Sequence, residues 1–156
     1  MKRAGFLGLS LATLAVGIVV SGFGAAAQED VVAKRKDAMK AAGKSMFGTL
    51  SQMSRDRKPY DQAEVNAALI QLDAFGRSLA PLYPESTKGA PRNGDYSASD
   101  KIWEDKAGFD ARIAAFAKEI AAHKGKINSL DDLKASFPTL SRGCSGCHET
   151  YRIKNS

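Results

Sequence analysis

Residues 144–148 read Cys-Ser-Gly-Cys-His, close to the C-terminal end of a chain of 156 residues. Cys144 and Cys147 are the only cysteines, and His148 is one of two histidines. A Cys-x-x-Cys-His pattern is typical of the attachment of a c-type haem, in which two thiols bind the vinyl groups and the adjacent imidazole binds the iron. The stretch therefore predicts one covalently attached haem c, with Cys144 and Cys147 as the thioether residues and His148 as an axial iron ligand.

The motif lies within a helical repeat. Residues upstream of it recur at steps of three and four, the spacing of one face of an α-helix. Ser129 and Asp132 predict a capping box at the start of this helix, and Pro138 is expected to kink it because proline lacks a backbone donor. The face comprises Leu130, Leu133, Phe137, Leu140, Cys144, Cys147 and Tyr151. Both thiols and the imidazole then lie along one side of the helix and can reach the same flat macrocycle.

Three other kinds of site use similar residues. A redox-active Cys-x-x-Cys normally accompanies a strand–helix pattern, which this sequence lacks. A disulfide between Cys144 and Cys147 would close within one helical turn and distort the backbone. A zinc site would have three ligands together but no clear fourth, because His123 belongs to another helix, near a loop. Haem is the stronger hypothesis.

Three further segments repeat with helical spacing. The first runs from about residue 29 to residue 53, and the second starts at a capping box of Asp61 and Glu64 and ends before Pro81. The third begins near Ser99 or Asp100. The expected buried faces are Val32, Arg35, Met39, Ala42, Met46, Thr49 and Met53, then Val65, Leu69, Leu72, Gly76 and Leu79, then Ile102, Lys106, Phe109, Ile113, Phe116 and Ile120.

The connections between these helices indicate how they pack. Residues 81–96 contain three prolines and two glycines and predict one long loop, whereas the other two connections are short. No segment alternates at a period of two, so a sheet is not expected. The sequence predicts an all-α fold, an antiparallel four-helix bundle with the covalently attached haem c near its C-terminus.

The first 27 residues have the plan of a secretory signal peptide. Lys2 and Arg3 precede an apolar run over residues 6–20 that is short for a membrane span, and small residues at positions 25–27 offer a cleavage site. We expect cleavage near Ala27, a mature domain of residues 28–156 in the periplasm, and no membrane insertion after cleavage.

Composition narrows the classes of function. Loss of Lys2 and Arg3 leaves a net charge of about +4, which is mild, and no arginine-rich tract with interleaved aromatic residues is present. Nucleic acid is therefore not an expected partner. The chain also has no phosphate-binding loop and no acid–base constellation, so we do not expect an enzyme.

The chain resembles class II cytochromes c, the cytochrome c' family. The resemblance covers the whole mature chain and includes the stretch from Cys144 to Arg152 and the pair Arg35 and Met39 in the first helix. The stretches at residues 58–61 and 101–103 are most similar to the low-spin branch called cytochrome c-556. The resemblance implies a four-helix bundle whose haem is attached near the C-terminus.

In the low-spin branch, a methionine of the first helix binds the iron opposite the histidine. The first helix offers three methionines on one face, of which Met46 and Met53 lie ~10 Å and ~20 Å beyond Met39 along the helix axis. The start of the first helix lies beside the end of the fourth in an antiparallel bundle, so only Met39 is at a suitable level. The resemblance also implies that Arg35, one turn before Met39, pairs with a haem propionate.

Two functions follow from the resemblance. The first is periplasmic electron transfer by a low-spin cytochrome with His148 and Met39 as axial ligands. Its expected partner is a redox protein with an acidic surface, which the exposed residues Lys34, Lys36, Lys40 and Lys44 could attract. The alternative is a high-spin protein of cytochrome c' type that binds nitric oxide or carbon monoxide at an open haem face. A homodimer is compatible with the sequence, although no helix face identifies a dimer contact.

Overall fold

The structure, a computed structural model, describes the backbone of residues 21–155 and the side chains of residues 26–155. Within these residues there are four long helices, α1 to α4, a short α-helix, and two 3₁₀ helices of three residues each, Ala80–Leu82 and Glu85–Thr87. α1 consists of α-helical Ser21–Gly43, π-helical Lys44–Leu50 and α-helical Ser51–Ser54. α2 is Gln62–Ser78, a short helix is Lys101–Glu104, α3 is Lys106–His123, and α4 is Leu130–Tyr151. The prediction of an all-α four-helix bundle is confirmed.

The π-helical segment Lys44–Leu50 contains a departure from the predicted face of α1. Leu50 follows Met46 by four residues and precedes Met53 by three, which is also a helical spacing. Leu50 is fully buried, whereas the predicted core residue Thr49 is only half-buried. Met46 and Met53, which lie before and after Leu50 in the chain, are fully buried as the repeat predicted.

The helix caps follow the sequence signals closely. The Asp61 carboxylate accepts a hydrogen bond from the Glu64 backbone N–H at 2.9 Å, and the Ser129 hydroxyl accepts one from Asp132 N–H at 3.1 Å. The backbone of Asp105 is not helical, so this residue separates the short helix Lys101–Glu104 from α3. The Asp105 carboxylate caps α3. The third predicted helix is therefore two helices: the Ser99 hydroxyl accepts a hydrogen bond from Lys101 N–H at the start of the short one, and Asp105 caps the long one.

The prediction of no strand was wrong for a short ribbon. Strand β1, Tyr96–Ala98, pairs in antiparallel register with strand β2, Arg152–Lys154, which directly follows α4. Three residues per strand are too few to show an alternating pattern in the sequence. The ribbon joins the end of the long loop to the end of the helix that carries the motif.

The core has two clusters of buried side chains. The larger is built around Met46, Leu50, Met53, Leu69, Leu72, Ile120, Leu133 and Leu140, each almost fully buried. The smaller includes Tyr83, Ile102, Phe109 and Tyr151. Burial of each large side chain contributes roughly 1.5–3 kcal/mol. Cys144 packs against the larger cluster and Cys147 against the smaller one, so the two thiols lie where the clusters meet.

The predicted signal peptide lies mostly outside the described residues, which begin at residue 21. Among the described residues α1 already includes positions 21–27, ahead of the mature chain expected from residue 28. Within residues 21–155, no helix combines the length and the apolar composition that a membrane crossing requires.

Candidate functional site

The motif occupies the last two turns of α4. Cys144 and Cys147 are free thiols that are partly buried, and His148 is also partly buried. The carbonyl of His148 accepts a hydrogen bond from the Arg152 backbone N–H, which closes the helix. The three side chains therefore lie on a continuous helical surface, as the spacing predicted.

The ionisation of these groups follows from their burial. Burial raises the pKa of the Cys144 thiol to about 11, and it raises the pKa of the Cys147 thiol against the opposing charge of Arg112. Burial and the nearby Arg152 lower the pKa of His148. At neutral pH the site therefore holds two protonated thiols and a neutral imidazole, the form in which histidine binds metals.

The structure gives no support to the other interpretations of the cysteines, which were a disulfide, a zinc site and a redox-active pair. The two thiols are not joined in a disulfide. Across the described part of the chain, no three acidic, histidine or cysteine side chains form a group that could hold a metal ion on their own. The strand that accompanies the motif is a three-residue ribbon after the helix, not the strand–helix unit of a thiol oxidoreductase.

An apolar cleft opens beside the motif. It contains about 560 Å³ of free space, part of it open to solvent. Side chains from all four long helices line it: Met39, Ala42, Gly43, Met46, Phe47, Phe75, Leu79, Arg112, Ile113, Phe116, Gly143, Cys144, Cys147 and His148. A flat apolar group attached to the thiols would thus be enclosed by the bundle.

Met39 and Met46 both line this cleft, whereas Met53 lies in the core away from it. Met39 is partly buried and packs against the smaller core cluster together with Cys147. Met46 is fully buried within the larger cluster. The fold therefore brings the predicted ligand Met39 to the same cleft as His148.

Arg35 lies outside the lining of the cleft but is buried one turn before Met39. Its Nε donates to the Leu82 carbonyl at 3.0 Å, and Nη2 donates to the Thr87 hydroxyl at 2.9 Å. Its guanidinium also stacks 4.2 Å from the centre of the Tyr83 ring. Burial lowers the pKa of Arg35, although the guanidinium stays charged. These contacts of Arg35 therefore hold the loop after α2 against α1.

Five residues of the cleft belong neither to the predicted helix faces nor to the motif: Gly43, Phe47, Phe75, Arg112 and Gly143. Phe47 is 49% exposed and borders both this cleft and a second depression beside Ser145 and Glu149. It lies off the predicted face of α1, and the π-helical segment that places it has no periodic signature. Arg112 precedes the buried Ile113 on α3, and a charged residue next to a core position is too common to mark a site.

The cofactor that the motif implies can be tested against these residues. Haem needs two thiols within reach of its vinyl groups, an imidazole for the iron and an apolar enclosure for the macrocycle. The motif supplies the first two on one helical surface, and the eleven other residues that line the cleft, of which only Arg112 is charged, supply the third. The site fits haem c.

Comparison with known proteins agrees with this fit. The sequence profile described as cytochrome c' matches residues 30–152. Cytochrome c-556 of Rhodopseudomonas palustris is 42% identical over 142 residues, which cover 90% of this chain and 95% of the relative. A solved structure of oxidised R. palustris cytochrome c556 superposes with a TM-score of 0.73 at 42% identity, covering 82% of this chain and 99% of that chain. The nitric oxide complex of the L16V mutant of cytochrome c prime from Alcaligenes xylosoxidans gives 0.68 at 28% identity, covering 81% and 97%.

Proposed function

This chain belongs to the cytochrome c' family, whose members carry covalently attached haem c, and from that premise we propose that it is a periplasmic electron carrier. Its membership already makes it a haem protein of the kind that transfers electrons or binds small ligands. The proposal is more specific. His148 and Met39 are the two axial iron ligands, and the haem stays low-spin in both redox states.

One observation carries the proposal. Met39 on α1 and His148 on α4 line one cleft, with the thioether residues Cys144 and Cys147 between the two core clusters. A methionine sulfur and an imidazole that approach from different helices can bind opposite faces of one flat group. Methionine as the second ligand also favours the reduced iron relative to a second histidine.

Each residue of the site has a separate task in this proposal. Haem supplies reversible one-electron exchange at the iron. Cys144 and Cys147 prevent its dissociation, and the neutral His148 supplies a ring nitrogen as ligand. Phe75 and Phe116, whose rings meet edge to face at 6.0 Å, close the apolar wall and keep water from the cleft.

Arg35 is proposed to bind a haem propionate. A guanidinium has five N–H donors, and the bonds to Leu82 and Thr87 use only two of them. Those bonds also hold the buried guanidinium in place one turn before Met39. A fixed cation near the edge of the cleft would lower the pKa of a propionate and hold it ionised.

The electron partner is proposed to be a redox protein with an acidic surface. Phe47 exposes an aromatic ring at the mouth of the cleft, and Lys44, which is also exposed, lies three residues before it in the π-helical segment. Lys40 lies one turn before Lys44 on α1 and is strongly exposed. An apolar centre with a basic rim is the usual composition of a contact that forms through long-range attraction. Lys36 is less available, because its ammonium group bonds Asn93.

Export to the periplasm is proposed from the sequence pattern of residues 1–27. The match to the family begins at residue 30, just after the expected cleavage site at Ala27. The side chain of Gln28 donates to the Ser86 carbonyl at 2.8 Å, so the first mature residue would be anchored to the loop after α2. We propose no catalytic role of its own for the mature protein.

A second candidate function is the binding of nitric oxide or carbon monoxide at the iron. The nitric oxide complex of the A. xylosoxidans relative supports it for the family, and the partial burial of Met39 supports it for this chain. A methionine that is not locked in the core could leave the iron and free one coordination site.

An absorption spectrum of the purified holoprotein distinguishes the two functions. The electron carrier is expected to be low-spin in both redox states, to show a methionine-to-iron charge-transfer band when oxidised, and to bind carbon monoxide slowly. A high-spin spectrum with rapid carbon monoxide binding would reject the electron carrier and support the gas-binding protein.

A further inference from the structure

The last turns of α4 carry the haem motif but have little intrinsic stability. Gly143 and Gly146 both lie in this part of the helix, and glycine weakens helices because it loses more backbone entropy than other residues. None of the salt bridges between the described residues involves residues 142–154. Contacts from outside α4 must therefore hold its end.

The ribbon that follows α4 provides some of these contacts, and Tyr151 provides others. Tyr151 is the last residue of α4, three positions after His148, and its side chain is 6% exposed. Its hydroxyl donates to Oδ2 of Asp105 at 2.9 Å, and its ring packs edge to face on Phe109 at 5.1 Å. Its backbone carbonyl accepts a hydrogen bond from Ser99 N–H at 3.0 Å. One residue thus joins the end of α4 to the segment that precedes α3.

Asp105 is held in a single orientation by a second bond. Its Oδ1 accepts from the Gly108 backbone N–H at 3.0 Å and caps α3, while Oδ2 accepts from Tyr151. The backbone on either side is fixed as well, because Asp105 N–H donates to the Lys101 carbonyl at 2.9 Å and its carbonyl accepts from Phe109 N–H at 3.0 Å. The start of α3 therefore holds the Asp105 carboxylate in place, and the carboxylate in turn holds the Tyr151 hydroxyl.

Gly108 makes this arrangement possible. A Cβ at position 108 would lie 2.2 Å from Oδ2 of Asp105 and 2.7 Å from its Cγ and Oδ1. Carbon atoms do not approach so closely, so any other residue at 108 displaces the carboxylate from both of its partners. This explains why a helix of otherwise good helix-forming residues has glycine in its first turn.

From these contacts we infer that Asp105 and Tyr151 are positioning residues for the haem ligand His148, and that Gly108 is required for their hydrogen bond. The bond fixes the end of α4 against the start of α3. His148 is one turn away on the same helix, so the bond determines where its backbone and ring stand relative to the cleft. The inference depends on His148 as the iron ligand and does not depend on Met39.

Three variants remove the hydrogen bond between Tyr151 and Asp105, each by a different change. Tyr151→Phe keeps the ring and removes the donor. Asp105→Ser keeps a good cap for α3 but is too short to reach Tyr151. Gly108→Ala leaves both partners chemically intact and displaces the carboxylate. A matched control is Tyr60→Phe, which loses the 2.6 Å bond from the Tyr60 hydroxyl to Gln62 in a different part of the bundle.

The measurement is the pattern of haem methyl resonances in the proton NMR spectrum of the oxidised holoprotein, with the reduction potential and the thermal midpoint. The spread of these resonances depends on the orientation of the axial ligands. We expect all three variants to change both the pattern and the potential, and Tyr60→Phe to leave both at the wild-type values. Variants that lower only the thermal midpoint and keep the wild-type pattern and potential would overturn the inference.

This test stands apart from the proposed function. Oxidised haem gives shifted methyl resonances whether or not Met39 binds the iron. Failure of the His148–Met39 ligation would instead appear as a high-spin absorption spectrum of the unmodified protein.

Discussion

Met39 on α1 and His148 on α4 line the same cleft, although they lie in the first and last helices of the bundle. Between the described residues, no side-chain hydrogen bond holds Met39 there; its side chain packs against the smaller core cluster. Because the choice between electron transfer and gas binding depends on this residue, its substitution is the most informative change to the chain.

Met39→Leu should convert the haem from low-spin to high-spin. Leucine fills a similar volume, and such exchanges usually cost less than about 1.5 kcal/mol in packing, so the bundle should stay folded. We expect loss of the charge-transfer band and fast carbon monoxide binding, both followed by absorption spectroscopy. Met46→Leu is the matched control, since Met46 lines the cleft but is part of the larger core cluster. A low-spin spectrum of the Met39 variant would place the ligand elsewhere.

Replacement of both thiols should abolish covalent attachment. Cys144→Ala with Cys147→Ala removes the only cysteines of the chain, so no thioether can form. Haem should then pass into acid acetone, and the protein mass should equal that of the polypeptide alone. Ser145→Ala, between the two cysteines, removes only a hydroxyl that bonds the Arg142 carbonyl and should keep its haem. Haem that resists extraction from the double variant would contradict the assignment.

Arg35→Met should lower the free energy of unfolding by about 2–4 kcal/mol. The change removes two hydrogen bonds from a charged donor, to Leu82 and Thr87, and the stacking on Tyr83. Arg35→Lys should not restore stability, because a single ammonium group cannot reproduce the planar fork. Denaturant unfolding measures both. The exposed neighbour Lys34→Met should stay within about 0.5 kcal/mol of the wild type.

Asp73 should make stability depend on pH. Hydrogen bonds from Lys124 at 2.7 Å and then from Arg77 lower the pKa of this carboxyl in the folded state. Its contribution to stability is therefore complete above the unfolded pKa of about 3.9 and is lost as the pH falls through the lower folded pKa. Asp73→Asn should lower the thermal midpoint at pH 7, and the difference from wild type should shrink in acid. Asp131→Asn serves as the control. If the midpoints of Asp73→Asn and wild type differed equally at pH 7 and in acid, the result would contradict this role of Asp73.

Lys44→Glu should slow electron transfer to an anionic oxidant. Lys44 is exposed and lies three residues before Phe47, which borders the cleft, so reversal of its charge opposes the approach of hexacyanoferrate(III). We expect a severalfold lower second-order rate in stopped-flow measurements at low ionic strength, with the difference disappearing at high salt. Lys126→Glu makes the same change in the connection between α3 and α4, where the rate should barely alter. Equal effects of the two variants would show that only net charge matters.

The sequence alone determined the helices and the kind of site. Helical spacing located α1, α2, α3 and α4, because each must bury one apolar face and the repeat is a local property of the chain. The caps at Asp61 and Ser129 were predicted for the same reason, since a cap involves residues only three apart. The haem motif is also local, because its thiols and imidazole share one helical surface.

The tertiary structure decided everything that depends on residues distant in the chain. The ribbon between Tyr96–Ala98 and Arg152–Lys154 needs pairing across the bundle, and three-residue strands leave no repeat to read. Within the π-helical segment, Leu50 and not Thr49 is the buried residue, and Phe47 borders the cleft. Arg35 acquired its partners, and Tyr151 met Asp105, only when loops and helix ends packed together. A periodic pattern predicts which face of a helix is buried. Which residues of other elements contact that face depends on the packing of the whole bundle.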